Sequence, residues 1–256
     1  MATTAFSPIR TRSDNRFFLT MAFVMAATIV AGFSLQLAMG RSSFSEPLLV
    51  HAHAIVFMGW VVIYVAQNWF ATMGQLRLHR VLGWIALGWI VAMFCLGTAV
   101  TIVMVREGRT PFFFLPLHFL VFDPLVIIGF GGLTIAGVAF RKQTDWHRRL
   151  NYCGMTMLTG PAFGRLLPVP FLIPFAYHVV LATTLVFPLI GMMADVRRTG
   201  RVHPAWFWGL GGILATELVT DLIAFSPIGT AIYDWVVVGS PGAAHAPLAF
   251  PPSPLG

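Results

Sequence analysis

Apolar runs of about 20 residues recur along this chain, and this feature restricts what it can fold into more than any other. Most charged residues between Phe17 and Phe225 gather in short stretches that separate the runs. Only 10% of the 256 residues are charged, against about 25% in a soluble domain. Because a bilayer offers no water to backbone groups, runs of this length cross it as helices. The composition therefore excludes a soluble protein.

We predict an all-α, polytopic membrane bundle of seven transmembrane helices. The predicted spans are residues 17–39, 46–70, 81–105, 112–140, 146–167, 171–194 and 206–225, and in one alternative the last span continues to 238. Residues 1–16 form a polar, basic cytoplasmic leader, and 17–238 form the transmembrane domain. The stretch 239–256 carries no charge and is rich in Pro, Gly and Ala, which predicts a disordered external tail. The first run is longer than the apolar region of a signal peptide, so we expect an uncleaved span.

The distribution of Lys and Arg predicts the orientation of the bundle. Twelve of these residues fall in the leader and in alternate loops: Arg10, Arg12, Arg16, Arg77, Arg80, Arg141, Lys142, Arg148, Arg149, Arg197, Arg198 and Arg201. The other side has four, Arg41, Arg106, Arg109 and Arg165. The positive-inside rule then predicts a cytoplasmic N-terminus and an external C-terminus. Because the basic residues lie in loops between spans, the net charge of +7 does not indicate a nucleic-acid partner.

A histidine lies near the start of three apolar runs, and a second histidine lies in the basic stretch at the end of each of these hairpins. The pairs are His53 with His79, His118 with His147, and His178 with His203, separated by 26, 29 and 25 residues. At about 1.5 Å per helical residue, each separation covers roughly 40 Å, the thickness of a bilayer with its headgroups. We therefore predict three repeated helical hairpins, each with one histidine inside the membrane and one at the cytoplasmic surface.

The ionisable residues inside the predicted spans concentrate in the external half of the bundle. Such residues are costly in a membrane, usually face the bundle interior, and are functional candidates by default. Neutral imidazole is a common ligand of transition metals and of haem iron, so we predict that the three histidines at matched depth bind haem b or a transition metal. These predicted ligands are His53, His118 and His178, and the candidate catalytic carboxylates are Glu217, Asp221 and Asp123. The simpler alternative for each is a hydrogen-bonded packing residue.

Three further residues belong to the predicted site. On a helical wheel His53 shares a stripe with Gln67, which makes His53 the interior candidate, whereas His51 lies on another side and suits a hydrogen bond near the headgroups. Arg165 closes the external end of the fifth span, and we predict that it pairs with Asp221.

Histidines at the cytoplasmic surface carry a weaker signal. His79, His147 and His203 each lie beside arginines at a helix start, so we predict interfacial anchors, with haem ligation as the alternative. The two cysteines, Cys95 and Cys153, both lie inside predicted spans and provide neither a disulfide framework nor a Cys-x-x-Cys motif.

Several short motifs together resemble an uncharacterised family of bacterial multi-pass inner-membrane proteins. The motifs are His51-x-His53, Gln67 with His79-Arg80-x-x-Gly83-Trp84, Asp123-Pro124, and Trp146-His147-Arg148-Arg149-Leu150. The resemblance covers residues 48–167 and implies a bacterial origin and an inner-membrane location, but no activity. Hairpins with histidines are also similar in outline to cytochrome b561-type proteins, a likeness at the level of the fold alone.

Three hypotheses for function remain open. The first is a haem- or metal-dependent membrane oxidoreductase or electron-transfer protein, acting on a quinone or another small lipophilic substrate. The second is a zinc-dependent membrane hydrolase, in which Glu217 or Asp221 is the general base. The third is a transporter or an accessory subunit, in which Glu217, Asp221 and Arg165 relay protons or bind an anion. The lipid bilayer is the expected partner in each case, and the oligomeric state stays open.

Overall fold

The computed structural model describes residues 8–252, with side chains from residue 14 onward. Every regular element in this part of the chain is a helix, and no strand occurs within it. The α-helices are α1 (Pro8–Ala38), α2 (Leu48–Thr72), α3 (Leu76–Arg106), α4 (Pro116–Ala139), α5 (Thr144–Met157), α6 (Gly160–Leu166), α7 (Ala176–Thr184), α8 (Val186–Thr199), α9 (Pro204–Ala224) and α10 (Pro227–Val237). Two short 3-10 helices cover Val169–Leu172 and Pro241–Ala244. The predicted all-α class is confirmed.

Six helical segments are long and apolar enough to cross a membrane. They are α1 from Asp14 onward, α2, α3, α4, the α7–α8 pair and α9. Large apolar side chains such as Ile55, Val62 and Val91 are exposed along the outside of the bundle. In water such a surface would cause aggregation, whereas a bilayer covers it. The multi-pass membrane character that the composition predicts is therefore confirmed.

The predicted fifth span consists of two shorter helices, α5 and α6. The helical path breaks at Thr159-Gly160-Pro161. Pro161, which has no backbone N–H to donate, lies in the first turn of the new helix, a position that favours proline. The first half of α5 is polar, while every residue from Tyr152 to Met157 is buried against α4 and α9. The second half of α5 thus lies inside the bundle, where other helices surround it.

The chain beyond α9 does not form one continuous helix to residue 238, as the alternative with a longer last span would require. Ser226 begins a separate helix, α10, in which the Ser226 hydroxyl accepts a hydrogen bond from the Gly229 N–H at 3.2 Å and Pro227 occupies the first turn. This is a common way to start a helix, and it turns α10 back onto α4 and α3.

One end of the bundle, which we call the basic end, collects the helix termini that adjoin the arginine-rich loops. There the Thr72 hydroxyl donates to the Asn15 carbonyl at 3.3 Å, which joins the end of α2 to the beginning of α1. Arg198, at the end of α8, forms an ion pair with Asp14 at 2.9 Å. Gly74 and Gly200 end α2 and α8 with φ angles of 72° and 73°, which glycine adopts without steric cost.

A buried ion pair fixes the basic end. Both Nε and Nη2 of Arg149 on α5 donate to the Asp195 carboxylate on α8, at 2.9 and 2.7 Å. The indole N–H of Trp206 on α9 donates to the same carboxylate at 2.8 Å. The two ionic side chains are almost fully buried, so the three helices are held together by charge-assisted hydrogen bonds in a low-dielectric setting.

Part of the stretch predicted to be a disordered external tail packs on the bundle. Its 3-10 helix packs on α3, and the Tyr233 hydroxyl donates to the Gly242 carbonyl at 3.3 Å. The free N–H of Leu117, in the first turn of α4, donates to the Pro247 carbonyl at 2.9 Å. The tail thus supplies an acceptor to the start of a helix, which composition alone does not reveal. Residues 253–256, and residues 1–7 of the predicted leader, lie outside the described residues.

Candidate functional site

Helix α4 carries one side of a histidine–carboxylate hydrogen bond at the end of the bundle opposite the basic end. His118 lies in the first turn of α4, and Asp221 lies in the last turn of α9. The Nε2 atom of His118 is 3.1 Å from Oδ1 of Asp221. Because a carboxylate oxygen accepts hydrogen bonds, Nε2 carries the proton in this contact. The predicted pairing of Asp221 with Arg165 is therefore wrong, and His118 takes the place of the arginine.

The two side chains of this pair differ in exposure. His118 is 6% exposed, whereas Asp221 is 46% exposed. The residues that flank Asp221 on α9, Leu218 and Leu222, are large, apolar and exposed. A half-exposed carboxylate on the outer surface of a membrane-length helix is costly, which marks it as a functional candidate.

Aromatic rings surround the imidazole of His118. The Tyr177 ring is the nearest, with its centroid 4.5 Å from that of the imidazole. Phe114, Phe122 and Phe225 follow at 6.1, 6.0 and 6.1 Å. The Tyr177 hydroxyl is buried and has no hydrogen-bond partner within the described residues. The result is an apolar, ring-lined site with one histidine–carboxylate pair and one unused hydroxyl, and small-molecule sites are commonly apolar with a few polar groups.

Glu217 and His178 lie on either side of this site. Glu217 is one helical turn before Asp221, and its Oε2 atom is buried without a hydrogen-bond partner within residues 14–252. His178 follows Tyr177 and contacts that ring edge-on at 5.2 Å, but its own side chain is exposed.

A second polar group, around Arg165, lies between α2, α3, α4 and α6. The Arg165 guanidinium donates to the Pro161 carbonyl at 2.8 Å and covers the Phe33 ring at 4.2 Å. Its helix, α6, packs on α1 rather than on α9, which explains why Asp221 is not its partner. The Arg165 charge acts instead on Asp123, which accepts a hydrogen bond from the Thr101 hydroxyl at 3.1 Å.

The three predicted ligand histidines fall into different surroundings. His118 contacts Asp221, His178 is exposed, and His53 stacks on Phe57 at 4.1 Å, within electrostatic range of Arg165. Across the described part of the chain, no three His, Cys, Asp or Glu side chains are close enough together to hold a metal ion. The ligand role of these histidines stays a prediction, and we derive no chemical step from it.

The remaining predicted residues have structural surroundings. His51 Nε2 lies 3.2 Å from the Phe44 carbonyl in the α1–α2 loop, close to the predicted use of this side chain near the headgroups. Gln67 lies near the basic end, far along α2 from His53, and its side-chain oxygen is buried without a hydrogen-bond partner among residues 14–252.

A further pair of histidines, predicted as interfacial anchors, lies between helices. His79 on α3 and His147 on α5 meet edge to face, with ring centroids 5.9 Å apart. The signal that could have found them is the repeated His-Arg step in the first turn of both helices. His203, in contrast, caps α9, since its Nδ1 atom accepts a hydrogen bond from the Ala205 N–H at 3.1 Å. Burial, with a smaller contribution from the Arg149 charge, lowers the pKa of His203.

Comparison of this chain with protein-family models, with curated proteins and with solved structures found no match.

Proposed function

We propose that the protein is an integral component of the bacterial inner membrane with seven crossings, a cytoplasmic N-terminus and an external C-terminus. Six membrane-length helices support this proposal, and α5 with α6 would make the fifth crossing. The α5 helix begins at the basic end, where Arg149 binds Asp195. The α6 helix carries Arg165 in its last turn, and this side chain covers Phe33 in the half of α1 that is farther from the basic end. The excess of Lys and Arg at the basic end favours the cytoplasm for that end.

We further propose that the protein is a membrane oxidoreductase or electron-transfer protein that binds a quinone-class molecule at the His118–Asp221 pair. The observation that carries this proposal is a half-exposed carboxylate, paired with a buried imidazole, on the apolar surface of α9. A molecule dissolved in the bilayer reaches such a surface directly. Its flat ring suits the aromatic lining formed by Tyr177, Phe122 and Phe225.

The polar groups of this site suit proton exchange with a bound quinone. An imidazole–carboxylate pair shares one mobile proton. The pair can give this proton to a bound molecule and then take up another, which restores the original pair. The Tyr177 hydroxyl has no partner within the described residues, so it is available to donate to a quinone carbonyl. Glu217, one turn further into the bundle, extends the line of ionisable groups away from the surface.

Quinone binding by the purified protein tests this proposal. In detergent or nanodiscs, Asp221→Asn and His118→Gln should each weaken binding of a soluble quinone analogue by about ten- to a hundredfold, the loss expected for one charge-assisted hydrogen bond of about 1.5–3 kcal/mol. Quenching of tryptophan fluorescence by the analogue measures the affinity. Asp234→Asn is the matched control, because Asp234 is an exposed carboxylate on another helix, α10. Equal affinity in the Asp221 variant and the control would refute the proposal.

A further inference from the structure

A groove opens on the surface of the bundle at the basic end, between the beginning of α1 and the end of α8. Its volume is about 340 Å³, and six side chains line it: Phe17, Ile190, Met193, Ala194, Arg197 and Arg198. Phe17 belongs to α1 and the other five belong to α8. The cavity itself therefore brings apolar and basic side chains of two helices around one space.

The lining residues of α8 share one face of that helix and change in character along it. Ile190, Met193 and Arg197 are separated by three and four residues, a spacing that places side chains on one face of a helix. Ala194 and Arg198, the next residues after Met193 and Arg197, complete this face. The α8 side of the groove is therefore apolar in its first part and basic at its end.

This order of side chains matches the two parts of a phospholipid. The membrane-length segment Ala176–Thr199 ends one residue after Arg198, so the arginines of the groove lie at the depth of lipid headgroups, and Ile190 lies deeper. Met193 is 50% exposed and Ile190 is partly exposed, so a hydrocarbon chain can contact both side chains. A phosphate at the headgroup depth would meet guanidinium groups, which bind phosphate through charge-assisted hydrogen bonds.

Arg197 is the cation of the groove that is available to a ligand. All nine acidic residues of the chain lie within the described residues, and none of them forms an ion pair with Arg197, whose side chain is exposed. Arg198, in contrast, pairs with Asp14 at 2.9 Å and with Asp195 at 3.2 Å. Its guanidinium carbon lies 4.7 Å from the centre of the Phe17 ring. Arg198 therefore fixes the wall of the groove, and Arg197 can bind an anion.

The charges near the groove leave a positive excess. Contacts and electrostatic interactions connect Arg198 to further charged residues, and together with Arg197 they form a set of four arginines and three aspartates: Arg148, Arg149, Arg197, Arg198, Asp14, Asp145 and Asp195. The Nη1 atom of Arg148 is buried and has no hydrogen-bond partner within the described residues. An anionic headgroup offsets this excess, whereas a zwitterionic headgroup adds no net charge.

We propose that this groove binds one anionic glycerophospholipid, with its phosphate on Arg197 and an acyl chain along Ile190 and Met193. Basic pockets between membrane helices suit anionic headgroups, and here the apolar half of the same groove adds a contact for the chain. The site shares no residue with the proposed quinone site, so either proposal can fail without the other.

Native mass spectrometry of the purified protein in detergent tests this site. From an equal mixture of phosphatidylglycerol and phosphatidylcholine with the same acyl chains, the protein should retain one phosphatidylglycerol per chain in preference. Arg197→Gln should reduce this preference about fivefold, the effect expected for one basic residue beside an anionic lipid. Arg77→Gln is the matched control, because Arg77 is an exposed arginine in the first turn of α3 that does not line the groove. Equal preference in the two variants would refute the proposal.

Photo-cross-linking locates the lipid on the unchanged protein. A phosphatidylglycerol with a photoactivatable group on its acyl chain should cross-link within residues 190–194, and excess unlabelled phosphatidylglycerol should suppress the product. The same excess of inorganic phosphate should not suppress it, because phosphate has no chain to occupy the apolar half of the groove. Suppression by inorganic phosphate would indicate a site for free anions, and an equal yield from the matching phosphatidylcholine probe would indicate ordinary lipid contact. Either result would overturn the proposal.

Discussion

Each histidine in this chain takes its role from the atom that its ring meets. His118 donates to a carboxylate, His79 donates to a backbone carbonyl, and His203 accepts from a backbone N–H. These contacts determine which ring nitrogen holds the proton. The sequence predicts the depth of each histidine, but not its partner. The partner of His118 is 103 positions away along the chain.

At the residue scale, we expect Asp195→Asn to destabilise the protein by about 3–5 kcal/mol, because it leaves the Arg149 guanidinium buried without its counter-charge. Thermal or denaturant unfolding in detergent measures the loss. Asp145→Asn is the control: Asp145 also contacts Arg149, at 3.3 Å, but is 30% exposed. Its loss should stay below about 1 kcal/mol. Equal losses in the two variants would contradict the assignment of Asp195 as the buried counter-ion.

Sequence patterns did not single out Asp195, although it is the centre of the basic end. Asp195 lies at the end of a predicted span, next to Arg197 and Arg198, and an acidic residue in such a charged stretch is typical of a loop. Its partners Arg149 and Trp206 come from two other hairpins, so the contact exists only once the bundle is assembled. The Asp221–Arg165 prediction failed for a related reason: a similar position along two spans suggested a pair, but the sequence does not show that α6 packs on α1.

At the scale of helices, the stretch predicted as the fifth span, 146–167, corresponds to two helices, α5 and α6, that together run from 144 to 166. The break and the internal position were not predicted. Pro161 was visible in the sequence, but a proline can kink a span or end it. The start of α5 is polar and partly exposed, whereas its second half is buried against α4 and α9. Hydropathy reports the solvent that a helix prefers and does not report which helices become its neighbours.

The close approach of α1 to α6 leads to a prediction for Gly32. A Cβ atom on Gly32 would lie 2.8 Å from the carbonyl oxygen and 2.9 Å from the Cα of Ala162. Backbone atoms cannot rotate away, so Gly32→Ala must separate the two helices. We expect it to destabilise the protein by about 1–3 kcal/mol, measured by unfolding in detergent.

The control for this variant is Gly211→Ala in α9, where a Cβ atom would meet nothing within 4 Å. Alanine favours a helix over glycine, so this change should be neutral or should stabilise by up to about 1 kcal/mol. A Gly32 variant as stable as the Gly211 variant would show that α1 and α6 are not in tight contact.

For the whole molecule, the alternation of basic and neutral loops was the most informative sequence pattern. The helix ends predicted to share a side do meet: Asp14 pairs with Arg198, and Trp146 contacts His203. Near the other end, Arg109 forms an ion pair with Glu46 at 3.0 Å. Orientation can be predicted from loop charges because each loop contributes to it independently. A binding site cannot be predicted in this way, because it depends on how several helices pack together.

Seven crossings, rather than six, require the α5–α6 pair to pass through the membrane. The side of the membrane on which the loop after α6 lies distinguishes seven crossings from six. Single cysteines are placed at exposed positions, Ser43, Gln143 and Phe171, in a chain whose native Cys95 and Cys153 are replaced by alanine. In intact cells, a membrane-impermeant maleimide should label Ser43→Cys and Phe171→Cys, and should label Gln143→Cys only after the membrane is opened. With six crossings, Phe171→Cys would instead behave like Gln143→Cys, because the chain would have remained on the side where α5 begins.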